Sequence, residues 1–397
     1  MKRRPVSASI AFTLLLALIL PWLLSVATCV QPGPATTNPL GSTSSAPLPG
    51  KPDAPASQTT QPQPPPVPAE YQAIYGELMR KLDSFDSMIS AKKASNGKKV
   101  VLAAELLTAN SDIGEGLFTE VNFQANRVYL DALQAINVTG VQVSIMYPML
   151  TTGFPNSDKY LAFYKKIVQE VRSRKMALLV KVGNPFANSV YSDLTISFAG
   201  LTLEKYRAEK KAMVHLVARE LKPDYLTICN EPNTEKMTIG ILQSPSQYAG
   251  TVKFILEGMD RNGILVGGGA GTWDDLSYMT ALADTDLDFL DAHVYPLDFL
   301  NRFIDIADIA TAKNKRMVIG EAWAYKLSGS ELGGLGDIAA TAKIYGRDVF
   351  SFWEPVDSRF LSSLVNMARL YGYEFIAPFW STYLYGYVDY NNATRGL

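Results

Sequence analysis

From Val100 to Phe379 the chain repeats one pattern, a short run rich in Val, Ile and Leu followed by a longer stretch of helical period. The pattern predicts strands near Val100–Leu106, Gly140–Tyr147, Met176–Val182, Tyr225–Cys229, Ile264–Gly269, Phe289–Val294, Arg316–Ile319 and Phe375–Phe379. Helical stretches lie between them, among them Ser157–Arg174, Leu203–Leu221, Ser246–Asn262 and Arg359–Tyr371. Strands alternating with helices build a parallel sheet, because each return crossover needs a helix. Strands that are apolar throughout fit a sheet covered on both faces. Eight such units predict an α/β fold of the (β/α)8 TIM-barrel kind; a doubly wound open sheet is the competing architecture. Too few residues follow Trp380 for a full eighth helix. An amphipathic helix over Tyr71–Ile89, ahead of the first strand, is a candidate to fill that gap or to cap the barrel.

The first residues read differently. Lys2, Arg3 and Arg4 precede an almost wholly apolar run, Ile10–Ala27, so 1–29 is expected to be an export signal or an anchor. Val26-Ala27-Thr28-Cys29 resembles a bacterial lipoprotein signal, in which the Cys carries lipid. Three fates stay open: a lipidated Cys29, an uncleaved transmembrane anchor, and a secreted soluble form. In each the protein is exported, and any membrane contact is made through this segment alone. Residues 30–68 are dominated by Pro, Ser, Thr, Gln and Ala. Such a composition buries too little apolar surface to offset chain entropy and predicts a disordered spacer. Residues 69–397 are left as the folded domain.

Composition removes several function classes. Net charge is −1 and the only basic block is Lys2–Arg4, so nothing suggests nucleic acid as a partner. Two His and two Cys exclude zinc ribbons and Cys/His clusters, and neither a metal nor a cofactor is expected. A Cys29–Cys229 disulfide is not expected either. Gly267-Gly268-Gly269-Ala270-Gly271 lacks the spacing of a nucleotide loop; its glycines are expected to let a loop or a sugar approach the end of strand five. The sequons at Asn137 and Asn392 carry little meaning if the host is bacterial.

Carboxylates are then the available tools. One strand runs into Asn230-Glu231-Pro232 and another into Gly320-Glu321-Ala322-Trp323, which puts both acids at C-terminal strand ends, where barrel active sites form. The two positions lie 90 residues apart, the length of three βα units at about 30 residues each. They should therefore face one another across the mouth. Retaining glycosidases need two carboxyl groups ~5–5.5 Å apart, one to attack the anomeric carbon and one to act as acid and then base. The acid needs a raised pKa while the nucleophile stays ionised. Asn230 is placed to donate a hydrogen bond to a sugar 2-hydroxyl.

Four segments together resemble the clan-A glycoside hydrolases, the superfamily of cellulases, mannanases and galactanases: Leu226–Asn233, Asp291-Ala292-His293-Val294-Tyr295-Pro296, Val318–Trp323 and Phe379-Trp380. The resemblance implies Glu231 as acid/base, Glu321 as nucleophile, Tyr295 or His293 as the nucleophile's hydrogen-bond partner, and Trp380 as a platform under the cleaved sugar. It also implies a catalytic domain over 69–397 that cleaves β-glycosidic bonds of an oligo- or polysaccharide, with a β-glycan as its partner and a monomeric state. Two features depart from the pattern. The first two strands carry no Arg, and Cys229 stands where many members have a His.

Further residues are candidates on weaker grounds. Trp323 and Tyr325 lead into a long loop, Ala324–Ser358, that could line the cleft. Glu354 in Phe352-Trp353-Glu354-Pro355 imitates the acid/base motif and is a candidate cleft residue. Glu105 and Lys181 are charges within apolar strands, costly unless paired with each other or facing the cleft. A catalytically inactive sugar-binding barrel and an anchored partner-binding domain are the alternative functions.

Overall fold

The computed structural model describes residues 65–90, 99–334, 341 and 344–395. The export segment 1–29 with Cys29, and the spacer as far as residue 64, lie outside the described residues. Among the described residues no helix is long and apolar enough to cross a membrane.

Eight strands are present: β1 (Val101–Leu102), β2 (Gly140–Ser144), β3 (Ala177–Lys181), β4 (Tyr225–Thr227), β5 (Leu265–Gly271), β6 (Phe289–Val294), β7 (Arg316–Ala322) and β8 (Phe375–Pro378). They form one sheet in the order β1-β8-β7-β6-β5-β4-β3-β2. A parallel bridge between Glu105 and Gln142 joins the two ends. There the Leu106 N–H donates to Gln142 O and the Gln142 N–H to Ala104 O, each at 2.9 Å. Closure leaves no unpaired edge, so the fold is the (β/α)8 barrel and the open-sheet alternative is excluded. β7 runs three residues beyond its sequence pattern, which puts Glu321 inside the strand.

The helices are α1 (Gln72–Ser90), α2 (Glu120–Ala135), α3 (Ser157–Ser173), α4 (Leu203–Leu221), α5 (Pro232–Ile239), α6 (Pro245–Leu256), α7 (Leu276–Ala283), α8 (Arg302–Ala312) and α9 (Glu354–Tyr371). Their starts follow local chemistry. Thr202 accepts from the Lys205 N–H ahead of α4, and Ser244 with Gln247 forms a reciprocal capping box ahead of α6. α1 buries Leu78, Leu82, Phe85 and Ile89 and packs on α9, where Arg359 meets Asp86 at 2.5 Å and Asp83 at 3.0 Å. The chain after β8 packs elsewhere. Its short turn Ser381–Leu384 lies against α2, where Tyr129 OH donates to Ser381 Oγ at 2.5 Å.

Alternation along the strands sorts the barrel interior from the helix layer. Leu178, Val180, Leu290, Ala292 and Val294 face the helices in the main core. Leu179, Phe289, Val318 and Phe375 form a separate apolar plug inside the barrel, with Tyr225 ringed by Phe289 and Phe375 at 5.9 and 5.4 Å. One or two pleats further up, the inward positions turn polar: Glu105, Gln142, Lys181, Thr227, Asp291 and His293 are all buried. The interior therefore has an apolar floor and a charged ceiling.

The glycines of β5 serve this interior. A Cβ on Gly267 would come within 2.1 Å of the Phe289 ring, and one on Gly269 within 1.7 Å of the Asp291 carbonyl oxygen. They make room for β6 within the barrel, a correction to the expected role at a loop or sugar; only Gly271, under Trp273, borders a loop residue of the mouth. Gly269→Ala should cost about 3 kcal/mol, because its neighbour is backbone that cannot swing away. Gly268→Ala, whose methyl would meet the end of the Leu287 side chain at 3.2 Å, should cost less. Denaturant unfolding of both variants checks the order.

Candidate active site

Glu231 lies just before α5, with Pro232 at the helix's first position. A residue before proline is disfavoured in the helical region, so Glu231 stays outside α5. Its φ of 51° is left-handed, a conformation costing on the order of 1–3 kcal/mol for a side chain of this size. Glu321 projects from the penultimate position of β7. One carboxylate oxygen of each, and a ring nitrogen of His293 from β6, all lie within 4.8 Å of one another. The acids from two separate strands thus converge, close to the ~5–5.5 Å that double displacement needs.

Buried partners hold this pair. His293 Nδ1 is 2.5 Å from Glu231 Oε1 and 3.6 Å from Glu321 Oε2. Its Nε2 faces Asp291 Oδ2 at 3.6 Å, and Asp291 is fixed by Thr227 Oγ1 at 2.6 Å and the Gly320 N–H at 2.7 Å. Tyr295 OH donates to Glu321 Oε2 at 2.5 Å. The Lys181 ammonium pairs with Glu321 Oε1. Glu105 accepts from Gln142 and Ser144, each at 2.7 Å, and has Lys181 and His293 as neighbouring charges.

These surroundings set the protonation states. Burial alone would lower the His293 pKa, but the Glu231 and Asp291 carboxylates outweigh it and hold it at about 9. Burial pushes Glu231 upward, and His293, together with Lys181 and Thr234, more than reverses this, so its carboxyl sits below the ordinary range. The expectation of a raised pKa on the acid is therefore corrected: at rest the proton belongs to the Glu231–His293 pair and resides on the imidazole. Burial raises Glu105, and burial with Glu231 nearby brings Asp274 to about 7. Cys229 is buried beside Lys210, and burial lifts its thiol to about 12, leaving it neutral and unreactive.

A cavity of about 620 Å³ opens over the two acids. Of the expected residues, Asn230, Glu231, Tyr295, Glu321, Tyr325 and Trp380 line it. Asn230 Oδ1 is buried without a hydrogen-bond partner, a state that favours a donor from a ligand. His293 stands behind the wall as the partner of Glu231. Trp323 does not reach the cavity. It is fully buried, with Tyr383 5.8 Å from its ring and the Lys326 ammonium at 5.2 Å. Glu354 is also corrected, since it is exposed in the first turn of α9, away from the cleft.

Sequence reasoning missed Asp112, Asn184, Tyr191, Trp273 and Tyr345, which line the cavity from the segments that follow β1, β3, β5 and β7, outside the strands whose period it read. Lys181 did carry a signal, a charge in an apolar strand. Of its two expected places it takes the one facing the cleft, where it lines the cavity and meets Glu321, and does not pair with Glu105. Glu231, His293 and Glu321 have the donor atoms of a metal cluster. An ion there would have to displace the proton held on the imidazole and compete with Lys181 for Glu321.

No protein-family model and no curated protein matches the chain. Solved structures do. GH5_18 from Bifidobacterium longum subsp. longum is 13% identical, with 71% of this chain and 70% of that chain covered at a TM-score of 0.51. A variant of it in complex with Manβ1-4GlcNAc is 12% identical, with 70% and 68% covered at a TM-score of 0.50. A GH113 β-1,4-mannanase is 13% identical, with 75% and 93% covered at a TM-score of 0.46. What is shared with GH5_18 at such identity is the barrel fold.

With two His in the chain, the His293 imidazole can be followed by NMR. It should titrate near pH 9, and in Glu231→Gln its pKa should fall by roughly one to three units, the usual effect of an adjacent opposite charge. Because the folded value is raised, the stabilisation from His293 is complete below its ordinary value of about 6.5. It is lost as pH climbs through about 9.

Proposed function

We propose that the protein is a retaining glycoside hydrolase acting on β-linked oligo- or polysaccharides. The observation that carries the reading is the convergence of Glu231 and Glu321 within 4.8 Å beneath a cavity of sugar-binding size. The barrel shared with the solved carbohydrate-active structures is consistent with it. The apolar run in 1–29 adds export, with the domain held at the surface or released.

Glu321 attacks the anomeric carbon while Glu231 protonates the departing oxygen. A glycosyl ester on Glu321 results. Glu231, now a base, takes a proton from water, which attacks the same carbon from the opposite face and restores the original configuration. Glu231 must be neutral for the first step. Moving one proton along the 2.5 Å His293–Glu231 hydrogen bond gives that neutral carboxyl. Tyr295 and Lys181 hold the Glu321 carboxylate in place, and Lys181 takes the part an Arg plays elsewhere in the clan. Trp380 offers its face to the sugar, and Asn230 Oδ1 accepts from a hydroxyl.

Glu231→Gln should lower kcat on natural substrates by on the order of 10²–10⁴, and Glu321→Gln by at least as much. Proton NMR of the first product should show the substrate's anomeric configuration. Wild-type turnover by both variants on every β-glycan that the parent cleaves would falsify the assignment. The same reading puts the alkaline limb of the kcat/KM profile near pH 9, where the Glu231–His293 pair gives up its proton.

A further inference from the structure

The cavity is walled on one half of the barrel mouth. After β3, segment 185–194 leans across the opening and is fastened at two places. On one side it meets the segment after β1: the Asp193 N–H donates to Asp112 O at 2.8 Å, and the Phe186 N–H donates to Asp112 Oδ1 at 3.2 Å. On the other it meets the segment after β7. Tyr191 OH and Thr341 Oγ1 are 3.0 Å apart, and the Tyr191 and Tyr345 rings lie 5.4 Å apart. β3 and β7 stand four places apart in an eight-stranded barrel, so a contact between their loops spans the mouth.

Aromatic rings carry this span onward. Tyr345 lies 5.8 Å from Trp380, which follows β8, and 5.2 Å from Tyr325, with their hydroxyls 2.8 Å apart. The segment after β7 is pinned from below by buried Lys326, whose ammonium meets Asp357 at 2.5 Å and Asp348 at 3.2 Å. The arch thus stands beside a buried ion cluster. Lining residues after β1, β7 and β8 are buried or half-buried, whereas Val190 and Asp193 after β3 and Asn233, Lys236 and Met237 after β4 are exposed. The exposed part of the lining thus lies on the β3–β4 side, and the cavity opens there.

Chemistry gives the two halves different occupants. Glu231, on the β4 side, must reach the leaving oxygen, so the leaving part of the substrate lies toward the opening. The sugar that Glu321 attacks lies toward Trp380, under the arch. From this we infer, resting on the glycosidase reading, that the arch of Tyr191, Tyr345 and Trp380 makes the site one-ended. The substrate is a β-linked chain bound with its non-reducing end inside, and cleavage proceeds from that end.

A matched pair of β-linked hexasaccharides tests this. One has a free non-reducing terminus and the other is blocked there by a 4,6-O-benzylidene group. A panel of β-glucan, mannan and galactan pairs is incubated with the full chain, and products are followed by chromatography and mass. The free chain should shorten stepwise. The blocked chain should be cut about 100-fold more slowly or not at all, since its bulk meets the wall. Equal cleavage of both would overturn the one-ended site and leave the glycosidase reading standing. Cleavage of neither, across the panel, would overturn the glycosidase reading and this inference with it. Removing the arch in Tyr191→Ala should raise cleavage of the blocked chain relative to the free one by about tenfold or more. If Tyr191→Ala proves misfolded by circular dichroism, the wild-type comparison alone decides.

Discussion

Charge buried in a low-dielectric interior must be neutralised or removed, and the upper barrel of this protein gathers carboxylates faster than cations. Glu105, Glu231, Asp291 and Glu321 are all buried, with Lys181 and His293 as the basic groups among them. The imbalance is settled by location. Lys181 goes to Glu321 and His293 to Glu231. Asp291 is held by Thr227 and a backbone N–H, and Glu105 is pushed toward its neutral form. Each side chain of the site is therefore fixed by the requirements of another.

That arrangement needs a barrel whose interior changes character along its axis. Strand alternation supplies inward positions, and their sequence decides whether they are apolar or polar. Leu179 and Lys181 are inward neighbours on β3, as are Phe289, Asp291 and His293 on β6. The apolar plug excludes water from beneath the charges, which strengthens every interaction above it. β5 offers almost no side chain inward, and its glycines let Phe289 and Asp291 occupy the axis. Floor and ceiling are consequences of one register.

Much of this was legible in the sequence, because strand and helix periods are local properties. The βα alternation located all eight strands to within a few residues, and α4 at its observed bounds. The two acids were legible for the same reason, since each ends an apolar run. What escaped depends on contacts distant along the chain. Tyr191 and Tyr345 are 154 residues apart and meet only because β3 and β7 oppose each other. Trp323 had a favourable address beside Glu321, yet Tyr383 and Lys326 cover it. The protonation of Glu231 was misread because the sequence names a carboxylate without naming its distance from an imidazole.

Two chemically identical side chains thereby come to sit in different surroundings, as the opposite tasks proposed for them require. A nucleophile must keep its negative charge and orientation until it attacks, and an acid must exchange its proton twice in each cycle. Glu321 is met by a phenol and an ammonium, donors that hold an oxygen in place. Glu231 is met by an imidazole, a group that can take up a proton and hand it back, and Asp291 stands behind that imidazole to stabilise it when charged. The distinction is written in β3, β6 and the residue after it, which bear Lys181, Asp291, His293 and Tyr295, while β4 and β7 position the two acids and hold Asp291 through Thr227 and the Gly320 N–H.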